Sequence, residues 1–201
     1  MTVLYGGSFD PVHNGHINAV RSVINELSPD RMIIMPAYVS PFKADKSINV
    51  SVSDRLRMCE LAFGSFPCCE ISDYEIQKAD ISYTVDTIRF LREKYMDERL
   101  ILAIGSDSLR SLKHWRRCEE IFATADIAAV SRIEGEDLTE DAAAIERAGG
   151  RVTIVHTKPF EISSTELRGM IAAGEDVSGF LPDSVLSYIK EKSLYGIDRS
   201  R

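Results

Sequence analysis

Apolar and polar positions follow two different rhythms along this chain, and the switches between them mark out its elements. Val3 to Tyr5 is a short apolar run that stops at Gly6-Gly7. From Ile17 the spacing turns helical, with Ile17, Val20, Val23, Ile24 and Leu27 on one face. The opening therefore reads as strand, glycine turn, helix. Met32 to Met35 predicts a second strand closed by Pro36, and residues 37–49 show no periodicity, so they form a long loop of the kind that serves as a lid or binding loop. Ser53 reads as the N-cap of a helix carrying Leu56, Cys59, Leu61, Ala62 and Phe63. Cys69 to Tyr74 reads as a short strand, and Ser82-Tyr83-Thr84 leads into a helix with Val85, Ile88, Leu91 and Tyr95 inward.

Leu100 to Ile104 is the clearest buried strand and ends at Gly105-Ser106-Asp107. A short helix with Leu109 and Leu112 follows, then His114-Trp115-Arg116-Arg117 and a helix holding Ile121 and Phe122. Ile127 to Ser131 predicts a strand, Leu138 to Ala148 a helix and Val152 to His156 the last strand. Ser163 and Glu166 have capping-box spacing, and Val185, Leu186 and Ile189 mark a final amphipathic helix. Strands alternating with helices predict an α/β fold: a Rossmann-like, doubly wound, mostly parallel sheet with helices on both faces. It is expected to be a single domain over residues 1–201, its helices from about 163 packing as a small subdomain.

Composition narrows the function classes. With 201 residues, 44% of them hydrophobic, the chain is long enough for a proper core. A formal charge of −7 argues against a general nucleic-acid binder, although a cleft can oppose the net charge locally. No apolar stretch suits a membrane span, and the N-terminus lacks a secretory pattern. The four cysteines, Cys59, Cys68, Cys69 and Cys118, match neither a zinc nor a redox spacing, which points to a reducing cytoplasm.

Candidate chemistry gathers at five places. Gly6-Gly7 followed by His13, Gly15 and His16 suits a phosphate held by backbone N–H groups and a helix N-terminus. The same histidines also read as a metal pair or as incidental surface residues, though metal pairs on helices are usually i,i+4 with a carboxylate. Ser163 to Arg168 reads either as a capped helix with an exposed arginine or as a second wall of that crevice. Gly105 and Asp107 either end a strand or meet a ribose, and Trp115 either packs or stacks on a flat ring. Lys43 is a solvated lysine or a lid residue reaching phosphates.

The blocks Gly6-Gly7-Ser8-Phe9-Asp10-Pro11-Val12-His13-Asn14-Gly15-His16 and Ile162-Ser163-Ser164-Thr165-Glu166-Leu167-Arg168 together resemble the nucleotidyltransferase superfamily with the H-x-G-H signature. Within it the chain resembles the bacterial nicotinate-nucleotide adenylyltransferases nearly end to end, including Ser82-Tyr83-Thr84, Gly105-Ser106-Asp107, Trp115 and Leu181-Pro182. One departure is Pro41-Phe42-Lys43, where the family commonly has histidine at the middle position. The resemblance implies transfer of AMP from ATP to the 5′-phosphate of nicotinate mononucleotide, giving deamido-NAD and pyrophosphate in NAD biosynthesis. It implies His13, His16 and Arg168 as catalytic residues. Gly7, Ser8, Phe9, Gly15, Lys43, Gly105, Asp107, Ile162 and Ser163 would hold ATP, and Thr84, Trp115 and Arg116 would hold nicotinate mononucleotide. Mg²⁺ would be carried by nucleotide phosphates and water, with no nucleic acid or membrane as partner and room for a homo-oligomer. The alternatives are the same transfer to nicotinamide mononucleotide or phosphopantetheine, and a non-catalytic nucleotide-binding domain.

Overall fold

The first strand, β1 (Thr2–Gly7), is the centre of a six-stranded sheet in which every pairing is parallel. The protein was analysed as a computed structural model that describes residues 1–41, 50–131, 135–158, 160 and 162–196. The other strands are β2 (Arg31–Pro36), β3 (Cys69–Ile71), β4 (Leu100–Gly105), β5 (Asp126–Val130) and β6 (Val152–Val155). Their order is β3-β2-β1-β4-β5-β6, the doubly wound arrangement. The chain leaves β1 in one direction for β2 and returns on the other side as β4, so a crevice opens beyond the carboxyl ends of β1 and β4.

Successive strand side chains point to opposite faces, and the two cores follow that alternation. Val3, Tyr5, Met32, Ile34, Ile101 and Ala103 pack on one face with helices α1 (Asn14–Leu27) and α2 (Val52–Phe63). The same face receives Leu167 and Ile171 of α8 (Ser164–Ala173) and Val185 and Ile189 of α9 (Asp183–Lys192). Leu4, Ile33, Met35, Leu102 and Ile104 face the other core. There they meet α4 (Thr84–Lys94), α5 (Ser106–Ser111), α6 (Cys118–Thr124) and α7 (Thr139–Arg147). All six residues of β4 are buried, as a central strand covered on both faces requires.

Two local expectations are corrected. The N-cap of α2 is Ser51, not Ser53: its Oγ accepts from the Asp54 N–H at 3.1 Å and donates to Asp54 Oδ2 at 2.6 Å. Both serines are offered by the sequence, but only Ser51 has a carboxylate three residues on. The strand from Cys69 stops at Ile71, and Tyr74 instead begins the short helix α3 (Tyr74–Lys78), which buries Glu75. Among the described residues no helix is long and apolar enough to cross a membrane.

Candidate active site

The turn after β1 is shaped by packing against Phe9. This residue takes a left-handed backbone, φ 48°, with its ring buried in edge contact with Tyr5, His16 and Phe63. A Cβ on Gly7 would stand 3.0 Å from that ring, so glycine there makes room for Phe9. Four side chains from other elements hold the turn. Arg55 of α2 donates to the Ser8 carbonyl at 2.8 Å, Arg168 of α8 to the Asp10 carbonyl at 2.7 Å, and Ser164 Oγ to the Pro11 carbonyl at 3.0 Å. Tyr195 donates its hydroxyl to Asp10 Oδ1 at 2.8 Å. Burial and the Asp10 carboxylate push the Tyr195 phenol well above its ordinary range, so it remains a donor.

His13 and His16 form the start of α1. His13 is the N-cap, and the two residues make a reciprocal capping box. The His13 N–H donates to His16 Nδ1 at 3.2 Å. With Nδ1 acting as acceptor, a neutral His16 carries its proton on Nε2. The rings lie 3.7 Å apart between centroids, and His13 is 5% exposed. A Cβ on Gly15 would come within 3.0 Å of the His13 ring and 3.2 Å of Phe160. Gly15 is therefore needed for ring packing, a more specific reason than approach to a ligand.

A small cavity opens at the carboxyl ends of β1, β4 and β5. His13, Gly15, His16, Gly105 and Ile162, all expected from the sequence, line it. So do Tyr5, Thr157, Lys158 and Phe160, which were not. Lys158 follows the last strand, as Ser163 does, so the topological argument that raised Ser163 also reaches it. Gly7, Ser8 and Phe9 stand outside this lining.

Ser163 is the N-cap of α8, as its spacing predicts, and Glu166 occupies it. Ser163 N–H and Oγ–H donate to Glu166 Oε2 at 2.8 and 2.6 Å, and these bonds hold the Glu166 carboxyl below its usual range. Two further residues expected at the ATP side lie outside this lining. The Arg168 guanidinium does not line the cavity, because it is committed to the Asp10 carbonyl and to Thr165 Oγ1 at 3.2 Å. Asp107 is also outside it, with a side chain 81% exposed and 3.8 Å from Arg110. It sits in the first turn of α5, two residues beyond the N-cap Gly105.

A second, larger cavity is lined by Pro41, Tyr83, Thr84, His114, Trp115 and Arg116. The three residues expected for the acceptor, Thr84, Trp115 and Arg116, thus come together. Thr84 is the first residue of α4, where a backbone N–H lacks an intrahelical acceptor. The Arg116 guanidinium lies 4.4 Å over the Tyr83 ring, and Trp115 Nε1 donates to Ser111 Oγ at 3.3 Å. Lys43 and Phe42 lie outside the described residues. No group of three or more His, Cys, Asp or Glu side chains suited to a metal ion occurs among the described residues.

The family model described as "Cytidylyltransferase-like" matches residues 4–170. A "Probable nicotinate-nucleotide adenylyltransferase" of Treponema pallidum is 34% identical, covering 96% of this chain and 97% of its own. One of the same description from Hydrogenobaculum is 37% identical, over 95% and 96%. In fold, the chain is similar to the Plasmodium falciparum nicotinic acid mononucleotide adenylyltransferase complexed with NaAD. The TM-score is 0.82, with 17% identity and 99% and 98% of the two chains covered.

Proposed function

We infer the activity from one premise: this chain belongs to the cytidylyltransferase-like family and, within it, to the nicotinate-nucleotide adenylyltransferases. It transfers AMP from ATP to the 5′-phosphate of nicotinate mononucleotide, releasing pyrophosphate and forming deamido-NAD in NAD biosynthesis. The observation that carries this reading to the residues is the pairing of two cavities. One is lined by His13, His16 and Lys158, and the other by Trp115, Thr84 and Arg116.

The attacking group is a phosphate monoester, whose second pKa is ~6, so it is already ionised at neutral pH and needs no general base. The barrier lies in bringing two polyanions together and in stabilising charge as the bond to pyrophosphate breaks. Donors fixed before the substrates arrive meet that need. His16, its proton on Nε2, donates to the α-phosphate region, and Lys158 adds positive charge at the same cavity. His13 fixes the His16 ring by a tilted ring contact and through its backbone N–H. Gly105 and Ile162 flank the nucleotide.

Ser163 offers its N–H and hydroxyl to the triphosphate when Glu166 gives them up. Arg168 is a positioning residue that holds the Asp10 carbonyl. Gly7, Ser8 and Phe9 supply backbone to the nucleotide's approach, and Asp107 lies at its outer side. At the acceptor, Trp115 stacks on the pyridine ring, while the N–H groups of Thr84 and Arg116 receive its carboxylate. Lys43 is assigned to the ATP phosphates by the family resemblance alone. Mg²⁺ would enter with ATP, held by its phosphate oxygens and water, and would offset the charge of the triphosphate.

The test is pyrophosphate release from Mg-ATP plus nicotinate mononucleotide, with deamido-NAD identified by mass. Release only when the acceptor is present supports the reading. ATP binding with no turnover on any mononucleotide would instead favour a non-catalytic nucleotide-binding domain.

A further inference from the structure

Arg55 heads the largest fully enclosed side chains among the described residues, at 1% exposure. Its guanidinium meets main chain from two separate segments. Nη1 donates to the Ser8 carbonyl at 2.8 Å and Nη2 to the Tyr38 carbonyl at 3.0 Å, while Nε is buried with no hydrogen-bond partner. Neither contact is to a carboxylate, and Asp10 acts on the group only through space. A cation enclosed on neutral acceptors, with one donor unsatisfied, is a poor way to stabilise a core compared with an apolar side chain of similar shape. Its placement has another use.

The two carbonyls belong to the two substrate sides. Ser8 lies in the turn between β1 and the histidines. Tyr38 precedes Val39, which is bridged to Ile81, and Pro41, which lines the acceptor cavity. Arg55 spans these segments from α2, and a rigid planar fork holds both carbonyls at one separation. Asp10-Pro11 is the cis peptide of the turn, so Ser8-Phe9 is trans. With the Ser8 carbonyl aimed at Arg55, the Phe9 N–H of that planar unit is directed away from it.

We propose that Arg55 is a positioning residue that fixes the ATP-side turn and the acceptor-side segment at one separation, so that the acceptor phosphate meets the α-phosphate in line. This rests on the adenylyl-transfer reading above. Each substrate is still held by its own residues, so loss of the tie falls on kcat more than on either KM.

The experiment compares wild type, Arg55→Met and Arg55→Lys by steady-state kinetics in both substrates, alongside thermal unfolding. Methionine removes both hydrogen bonds, whereas lysine keeps the charge but as a point donor that cannot span two carbonyls. Arg55→Met is expected to lose on the order of 10²-fold in kcat, because small misplacements of reacting groups cost that much. Arg55→Lys is expected to lose about tenfold, with each KM in both variants within about threefold of wild type. Either folded variant retaining kcat within about twofold, or a loss confined to one KM, overturns the proposal. If Arg55→Met does not fold, Arg55→Lys decides by the same criteria, and failure of both to fold assigns Arg55 to stability and overturns it. A wild type without turnover overturns the adenylyl-transfer reading instead. An active wild type with unimpaired variants overturns the tie alone.

Discussion

His16→Ala separates two functions of one ring. The first is helix initiation: His16 Nδ1 accepts from the His13 N–H at 3.2 Å in a partly buried capping box. Losing a cap costs roughly 0.5–2 kcal/mol, and the length of this bond places the loss at the lower end, about 0.5–1 kcal/mol. At 2–4 °C per kcal/mol for a chain of this size, Tm is expected to fall by about 1–4 °C. The second, on the proposed assignment, is donation from Nε2 to charge developing on the transferred group. Removing one such donor typically costs 10²–10³ in kcat, about 2.7–4 kcal/mol. The rate effect is therefore expected to exceed the stability effect several-fold. Calorimetry gives Tm, and continuous pyrophosphate release at saturating substrates gives kcat. His16→Gln, which restores an acceptor at the third helical position, should bring Tm back near wild type. A folded His16→Ala enzyme with kcat within about tenfold of wild type would refute the assignment of His16 to the transferred group.

Trp115→Ala is expected to raise KM for nicotinate mononucleotide about tenfold with kcat little changed, as loss of a stacking face plus its apolar area implies; an unchanged KM removes Trp115 from the acceptor site. Tyr195→Phe deletes a hydrogen bond to the 6%-exposed Asp10, worth about 1.5–3 kcal/mol for a charged acceptor, so Tm should drop by roughly 3–12 °C. An unaltered melting curve would show that the phenol does not brace the turn. Glu166 is held below its ordinary pKa by Ser163, so its contribution to stability is present above the unfolded value near 4.5 and is lost as pH falls through the lower folded value. Melting temperatures taken from pH 7 to 3 should therefore show a shallower acid limb in Glu166→Gln than in wild type, and identical limbs would contradict the capping geometry.

The features readable from sequence were those written in local chemistry. Ser163 and Glu166 specify a capping box at i,i+3, and the structure shows that box. The buried strand at Leu100 to Ile104 stands out because every position is apolar, which only a central strand or core helix tolerates. Boundaries failed where two local signals competed. Ser51 and Ser53 both offer a cap, and Ser72-Asp73 ends β3 and starts α3 between Ile71 and Tyr74, either of which suits a strand or a helix. The site residues that escaped notice depend on tertiary placement. Arg55 looks like a surface charge, although its spacing with Met58, Cys59 and Ala62 puts it on the apolar face of α2, a signal that was available. Tyr195 reaches Asp10 across nearly the whole chain length, a pairing with no local trace. Arg168 was recognisable as important, but its partner, the Asp10 carbonyl, is visible only once α8 is packed on the turn.

The central claim is tested most directly by comparing acceptors at fixed Mg-ATP, with product mass and kcat/KM measured for nicotinate and nicotinamide mononucleotide in parallel. On the proposed assignment of the carboxylate to the helix start at Thr84 and the backbone of Arg116, an amide keeps one accepting oxygen but turns an NH2 donor toward the other N–H and leaves it unmatched. Nicotinate mononucleotide is therefore expected to be favoured by about 10²-fold or more, with deamido-NAD as product. Equal or greater efficiency with nicotinamide mononucleotide, or no adenylyl transfer to either, would contradict it.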